Sequence, residues 1–555
     1  MQQGEINKRK LNEMCKLAVD NIIRESITDV DIFNKPFEIE YLLNEDNRSV
    51  AINTITTAIV SALSNDSFSE LKVKKIGHVL FPKKSLSDYR RCALIDVYDE
   101  IIYLTLVLYI VKAIEKNRIS KKNNIVFSYR FKKNEKISGL IFDPKYNYTA
   151  FRNQYLYERG QEDNNVMVSC DIANFYDRIN IHRIESVLLS MLGVDQGITE
   201  LINELLLFWS NRDSYGLPVG SNASRILAEA LLTDVDNYLL SRGIKYCRFV
   251  DDFRIFAKDA YEAHSALALL SECLAREGLF LNASKTAIED ISDISVEKNA
   301  NEIADDSEVN DEEDSIKFEK GDRLRIIRGY SGLVPTRFRR PSNSFAQKYK
   351  DFSIKEKYTS LAKKYVIDPR DIRELISIIY VQKNYEYYSK LPMLLKSYPQ
   401  FIPYYVSALS KTENLPKDIV DSISNELVGW FNDAALPEYI QVYIIRLLGS
   451  EPFAKTDLLI ELFRKLKRNS GDYVGRALLE EMYSNLDRPT VLEIKEYYYR
   501  ADIWERRAIL RIVKNYLPEA EQNPFYKNIE FHNDDIFTTF IMKKDSLSKE
   551  KKKKK

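Results

Sequence analysis

Residues 245–259 read KYCRFVDDFRIFAKD. Two adjacent carboxylates, Asp251 and Asp252, interrupt runs otherwise rich in aromatic and β-branched residues. The pattern predicts two short strands joined by a tight acidic turn, a hairpin holding both charges at its tip. Such a placement calls for something cationic beside it, because a partly desolvated carboxylate without a partner is costly.

A third carboxylate lies upstream. NNVMVSCDIANFYDRI (164–179) contains an apolar strand, Val166 to Cys170, that ends in Asp171 and leads into a helix-like start. If this strand neighbours the hairpin in one sheet, Asp171, Asp251 and Asp252 converge. Three hard oxygen ligands suit Mg²⁺, which takes its remaining ligands from water and substrate phosphates. Two such ions, about 3.5–4 Å apart, would activate a 3′-hydroxyl and neutralise a leaving pyrophosphate. Between these segments lies YGLPVGSNASRILAEALLTDVDNYLLSRG (215–243). Gly216 and Gly220 allow a close turn, Pro218 stiffens it, and Ser221 or Asn222 caps a helix with Ile226, Leu227, Ala230, Leu231 and Val235 on one face.

The remaining composition narrows the class by exclusion. Lys and Arg number 82 and Asp and Glu 82 over 555 residues, so global charge does not mark a nucleic-acid binder. Five scattered cysteines without a CxxC pair argue against a zinc site or disulfide framework. Four histidines without HExxH-like spacing argue against a histidine-ligated metalloenzyme. The start MQQGEINKRK lacks a signal peptide's apolar stretch, and no apolar run approaches the roughly 18 residues of a membrane helix. A soluble, cytoplasmic protein without membrane contact is expected.

Along the chain, 1–75 is helical in pattern, 76–165 mixed and more basic, and 166–288 alternates strand and helix patterns. Residues 289–314, EDISDISVEKNANEIADDSEVNDEED, carry Lys298 as their only basic residue, and 289–320 is read as a solvated insertion or linker rather than a nucleic-acid mimic. GDRLRIIRGYSGLVPTRFRRPS (321–342) is basic and Gly/Pro-punctuated. From about Asp351 to Tyr526 helix follows helix, as in RDIRELISIIYV and WERRAILRIVKNYL, so 321–545 is expected to stack helical pairs of the HEAT type, without a strict repeat period. Residues 546–555 are a basic tail.

The ordered set DIANFYDRI, GLPVGSNASRILAEA, RFVDDFRIF and EGLFLNASKT resembles motifs A to D of a reverse-transcriptase palm. Upstream, FPKKSLSDYRRCALIDVYDEIIYLTLVLYIVKAIE and VFSYRF look like the fingers of bacterial and group II intron reverse transcriptases. The resemblance covers about residues 78–288 and implies an α+β fold: right-hand polymerase fingers (76–165) and palm (166–288), followed by the α-helical HEAT-like domain. Val219 stands where group II intron and retron enzymes usually carry Gln, and Phe249 where they carry Tyr. Together with the long helical C-terminal region, this is similar to the abortive-infection and defence-associated "unknown group" reverse transcriptases of bacteria.

That resemblance implies Mg²⁺-dependent DNA synthesis from dNTPs in antiphage defence, with two Mg²⁺ ions (Mn²⁺ as a substitute) and a homo-oligomeric assembly. In that class synthesis is either protein-primed and untemplated, the product attached to a tyrosine, or copied from a partner noncoding RNA. The rival readings are a conventional RNA-templated enzyme of retron or group II intron type, and a helical scaffold with a vestigial palm. The implied roles are specific. Asp171 and Asp251 bridge the metals and Asp252 supports them. Tyr176, with adjacent Phe175 as the alternative, is the steric gate against a ribose 2′-hydroxyl. Lys83 and Arg90, or Lys84 and Arg91, hold the triphosphate, and Gly220 lies in the loop against the nascent pair. Lys285 protonates pyrophosphate, and Arg130 touches template or a fingers carboxylate. With 35 tyrosines, none is singled out for priming, and packing is the default reading of NYEYYSK and EYYYR.

Overall fold

The structure, a computed structural model, describes residues 6–28, 30, 33, 35–82, 89–292, 338, 340–433, 436–467, 473–530 and 535–543. Lys83 and Lys84, residues 293–320 of the acidic segment, 321–337 of the basic one and the tail 546–555 lie outside these described residues. The chain divides into two compact units, one of residues 1–76 with 93–331 and one of 77–92 with 332–555.

Asn7 starts the first helix by accepting the Lys10 N–H at 3.0 Å. In α1 (Lys8–Glu25), Leu11, Cys15, Ala18 and Ile22 recur at helical spacing and are buried. After α2 (Glu38–Tyr41) and α3 (Glu45–Asn65), strands β1 (Gly77–Pro82) and β2 (Tyr89–Leu94) pair as a two-stranded sheet. Helix α4 (Val97–Asn117), capped by Asp96, is apolar nearly all round and accordingly sits in the core of the first unit. Then come α5 (Tyr148–Arg159), β3 (Val166–Asp171), α6 (Phe175–Arg178), α7 (Ile181–Ser190), α8 (Gln196–Trp209), α9 (Asn222–Leu231), α10 (Thr233–Ser241), β4 (Lys245–Phe249), β5 (Asp252–Ala257), α11 (Ala260–Arg276) and β6 (Ala287–Asp290). Helices α1, α8 and α9 pack on α4. No described helix is long and apolar enough to cross a membrane, and all five cysteines are buried and free.

The four-stranded sheet has the order β4-β5-β3-β6, with every neighbouring pair antiparallel. Register fixes the two faces, since side chains alternate along each strand. Met167 pairs with Phe256 and Asp171 with Asp252, which puts Met167, Asp171, Cys247, Phe249, Asp252, Arg254 and Phe256 on one face. Met167, Cys247 and Phe256 form a core there with Phe127, Phe151 of α5 and Ile291. The other face carries Val168, Cys170, Tyr246, Arg248, Phe253 and Ile255. Segment 125–127 adds to the β4 edge, Arg248 N–H donating to Ile125 C=O at 2.8 Å and Phe127 N–H to Arg248 C=O at 3.0 Å.

In the second unit helices follow as α12 (Asn343–Lys348), α13 (Ile354–Ala362), α14 (Pro369–Gln382), α15 (Tyr385–Leu395), α16 (Ile402–Leu409), α17 (Lys417–Gly429), α18 (Glu438–Gly449), α19 (Thr456–Leu466), α20 (Val474–Glu481), α21 (Arg488–Tyr497), α22 (Ile503–Tyr516), α23 (Glu519–Glu530) and α24 (Ile536–Met542). Each of α15, α16, α18, α20 and α22 packs on its second neighbour along the chain. Side-chain bridges between helices recur at a sequence separation of 28 to 35 residues, from Tyr385–Glu413 and Tyr358–Lys390 to Arg446–Glu481 and Tyr516–Tyr483. Residues 77–92 belong to this unit: the Phe81 ring of β1 packs, tilted, against Tyr439 and Tyr443 of α18 at centroid distances of 5.5 and 6.4 Å.

Candidate active site

Asp171 is the last residue of β3 and Asp252 the first of β5, and the two are directly paired across the ladder. Asp251 occupies the two-residue loop between β4 and β5, and its backbone carbonyl accepts the Ile172 N–H at 3.1 Å. Val250, the other loop residue, has φ +57°, a left-handed conformation in which a β-branched residue is a genuine outlier. Thus the backbone brings the three acidic residues to one end of the sheet.

Like charges directly opposite one another in a ladder repel. Each carboxylate accordingly has its own cation: Lys285 Nζ lies 2.8 Å from Asp171 Oδ2, and Arg254 forms an ion pair with Asp252. Burial pushes the Asp252 carboxyl above its ordinary range, Asp171 adding to the rise and Arg254 and Lys285 opposing it. Among the described residues, no three Asp, Glu, His or Cys side chains are gathered as one metal ion would require. In kind, three carboxylates on adjoining backbone positions still match a hard divalent cation; binding one at a shared point requires Asp171 and Asp252 to exchange Lys285 and Arg254 for it.

The loop 216–220 is joined to the segment after β3. Leu217 N–H donates to Tyr176 C=O and Gly216 N–H to Ile179 C=O, both at 2.9 Å. Tyr176 is buried and meets Phe175 edge-on at 5.5 Å, so the two aromatics named for the gate share one packing site. Gly220 has φ +113°, and a Cβ there would lie 2.1 Å from Thr28 Oγ1, so glycine is required by contact within the protein itself. Ser221 caps α9, accepting the Ala223 N–H at 3.1 Å. Arg90 is half-buried on β2 in the second unit, while neighbouring Arg91 contacts His78 Nδ1 at 3.1 Å. Arg130, 1% exposed, donates to Glu115 Oε1 at 3.2 Å and to the Ile119 carbonyl at 2.7 Å; it meets a carboxylate, and its burial leaves no face for a template.

Sequence reasoning missed the charges beneath the hairpin. Arg248 is fully buried and grips Asp236 with two hydrogen bonds, 2.7 and 2.6 Å, while its third nitrogen reaches Glu229 Oε1 at 3.2 Å. Arg118 binds Glu229 Oε2 at 2.6 Å. Burial works against an ionised Glu229, yet Arg248 and Arg118 hold its carboxyl below the ordinary range. The available signal was Glu229 among Leu227, Ala228, Ala230 and Leu231, and Arg248 between Cys247 and Phe249: charges at apolar-periodic positions.

Residues 82–318 match the family model described as reverse transcriptase (RNA-dependent DNA polymerase). These residues are a reverse transcriptase domain. It contains the Asp171–Asp252 pair, the hairpin tip and the 216–220 loop. Among curated proteins the chain is similar to the Retron Ec86 reverse transcriptase of Escherichia coli, 24% identical over 124 residues, which are 22% of this chain and 38% of that relative. The chain thus spans well under half the length of the curated relative it matches. Two solved structures are similar to it: telomerase of Candida albicans in complex with a fragment of telomeric RNA (TM-score 0.28, 11% identity, covering 75% of this chain and 67% of that one), and apo telomerase of Candida tropicalis (TM-score 0.29, 12% identity, 67% and 69%).

Proposed function

We propose that this chain is a reverse-transcriptase-type DNA polymerase that transfers deoxynucleotides from dNTPs, acting in bacterial antiphage defence. The observation that carries the chemistry is Asp171 in direct register with Asp252, with Asp251 on the adjoining loop, inside the reverse transcriptase domain. A structural sheet end gains nothing from opposed carboxylates. Asp171, Asp251 and Asp252 would hold two Mg²⁺ ions, or Mn²⁺ in their place, and bound ions of this kind activate an attacking hydroxyl and neutralise the leaving phosphates. Lys285, already on Asp171, is a proton source at the same sheet end for pyrophosphate. Tyr176 excludes a ribose 2′-hydroxyl, the Gly220 loop backs the nascent pair, and Lys83 and Arg90 hold the triphosphate through charge-assisted hydrogen bonds.

The defence class is supported by Val219 and Phe249 at motif positions where retron and intron enzymes differ, and by the second unit, whose spacing of about 30 residues suits a HEAT-like array. The working form proposed is a cytoplasmic homo-oligomer. Priming from a protein tyrosine without a template, or copying of a noncoding RNA, is proposed with it. Incubating purified protein with single labelled dNTPs and no nucleic acid tests the priming mode. Label that survives phenol on the protein and is released by protease supports protein priming; strict dependence on added template and primer rejects it in favour of conventional RNA-templated synthesis, the reading favoured by the likeness to the retron enzyme. Asp251→Asn should abolish incorporation, and an unchanged biological effect in that variant would establish the scaffold reading instead.

A further inference from the structure

The Val250 turn is held by three side chains to which the motif resemblance assigns no role. Its N–H donates to Ser128 Oγ at 2.9 Å, and its C=O accepts from Arg248 Nη1 at 3.1 Å. Both donors and acceptors of this one residue are therefore fixed by buried side chains. Ser128 Oγ in turn donates to Glu229 Oε1, and Arg248 Nη2 lies 3.0 Å from Glu229 Oε2. Glu229 belongs to α9, the helix that follows the 216–220 loop, and Arg118 from the end of α4 adds hydrogen bonds to the carbonyls of Ser128 and Tyr129 at 2.9 and 3.0 Å. Ser128, Glu229 and Arg248 are each at most 1% exposed.

The placement has a mechanical consequence. Arg248 lies on the sheet face opposite Asp171 and Asp252, so the clamp grips the turn from behind while the carboxylates face the other way. A left-handed β-branched residue persists only where its surroundings over-determine it. Two hydrogen bonds, one at each side of the Val250 residue, do so here. Without them the turn is free to relax, carrying Asp251 and Asp252 with it.

We propose that Ser128, Glu229 and Arg248 are positioning residues that lock the strained Val250 turn, and with it the Asp251 and Asp252 carboxylates, to the helix leading from the 216–220 loop. Its catalytic consequence rests on the polymerase reading; the clamp itself does not. Ser128 is the informative member, since removing its hydroxyl leaves every buried charge of the Glu229–Arg248–Asp236 set paired.

The test compares the full-length chain with Ser128→Ala, Ser128→Thr and Glu229→Gln, measuring steady-state dNTP incorporation and peptide-level hydrogen exchange. A displacement near 1 Å at reacting groups costs up to about a hundredfold in rate. Ser128→Ala should therefore lower kcat by roughly ten- to a hundredfold, with KM for dNTP within about twofold. Ser128→Thr should recover most of the loss, and Glu229→Gln should fall between. Exchange should quicken in peptides covering 249–253 and remain unchanged in α11. A Ser128→Ala enzyme with wild-type kcat, or unchanged exchange at the tip, overturns the clamp. A rise in exchange spread across the whole first unit also overturns it, by assigning Ser128 a general stabilising role. If the wild-type chain incorporates no nucleotide under any template condition, the polymerase reading fails, and the exchange comparison still decides the clamp.

Discussion

Glu100, in the first turn of α4, accepts a hydrogen bond from Ser221 Oγ at 2.7 Å, and its other oxygen is buried with no hydrogen-bond partner among the described residues. Burial is the main force that pushes its carboxyl from an ordinary 4.5 up to about 8; Ser221 and Arg225 oppose it and Asp99 adds to it. At neutral pH the folded chain therefore keeps a proton on Glu100 that the unfolded chain releases. Stability tied to that proton is fully present below about 4.5 and is lost progressively as pH rises to about 8. Glu100→Gln, neutral at every pH, should flatten this slope, gaining on the wild type by a few kcal/mol (order of magnitude, about 1.4 per pK unit) at pH 8 relative to pH 5. Opening free energies of α4, read by segment-resolved hydrogen exchange across that range, check it: parallel profiles for the two proteins would mean that Glu100 is ionised throughout.

Among the elements, the loop before α9 depends on a glycine for two separate reasons. Gly220→Ala meets a backbone at φ +113° and also Thr28 Oγ1, 2.1 Å from the new Cβ. Backbone strain alone costs about 1–2 kcal/mol, and the clash adds to it. Thr28→Ala should recover only the clash, so the pair of substitutions should be less destabilising than their sum in a denaturation cycle. The helices of the second unit are tied by tyrosine hydroxyls: Tyr516 to the Tyr483 carbonyl at 2.8 Å, Tyr497 to that of Lys467 at 2.7 Å, Tyr405 to that of Tyr388 at 2.7 Å. Tyr516→Phe should cost about 1 kcal/mol, the net worth of such a bond, read as a shift in the denaturant midpoint without a change in slope. In the tyrosine-rich runs Tyr388 is buried and Tyr385 and Tyr497 donate to the Glu413 and Lys467 carbonyls, while Tyr499 is 62% exposed. The hairpin and the strand ending in Asp171 were legible because their alternation is local and their charges stand at its ends. The carboxylates' ionic partners were not: Arg254 lies in the same strand as Asp252, but which residues neutralise Asp171 depends on how 282–285 folds back over β3.

Across the whole molecule, the succession of helices after residue 343 could be read from pattern, whereas the membership of 77–92 could not. Its apolar partners Tyr439 and Tyr443 lie some 360 residues further on, and no local period records such a pairing. The arginines gripped by pairs of carboxylates show the same limit, and they lead to a prediction about how the two compact units unfold. Arg248 in the first unit is held by Asp236 and Glu229, and Arg446 in the second by Glu480 at 2.6 Å and Glu481 at 2.7 Å. The two sets share no residue. Removing one member of a buried ion pair leaves its partners uncompensated, a loss of about 3–5 kcal/mol. Because a chain with two units need not unfold in one step, a single melting temperature is a poor readout, and hydrogen exchange resolved by segment is the better one. Arg446→Met should quicken exchange in α18 and α20 and leave β3 and β5 protected; Arg248→Met should do the reverse. In the double variant each region should match its own single variant, to within about 0.5 kcal/mol of opening free energy. Loss of protection in β3 and β5 on changing Arg446 alone would mean that the units open together.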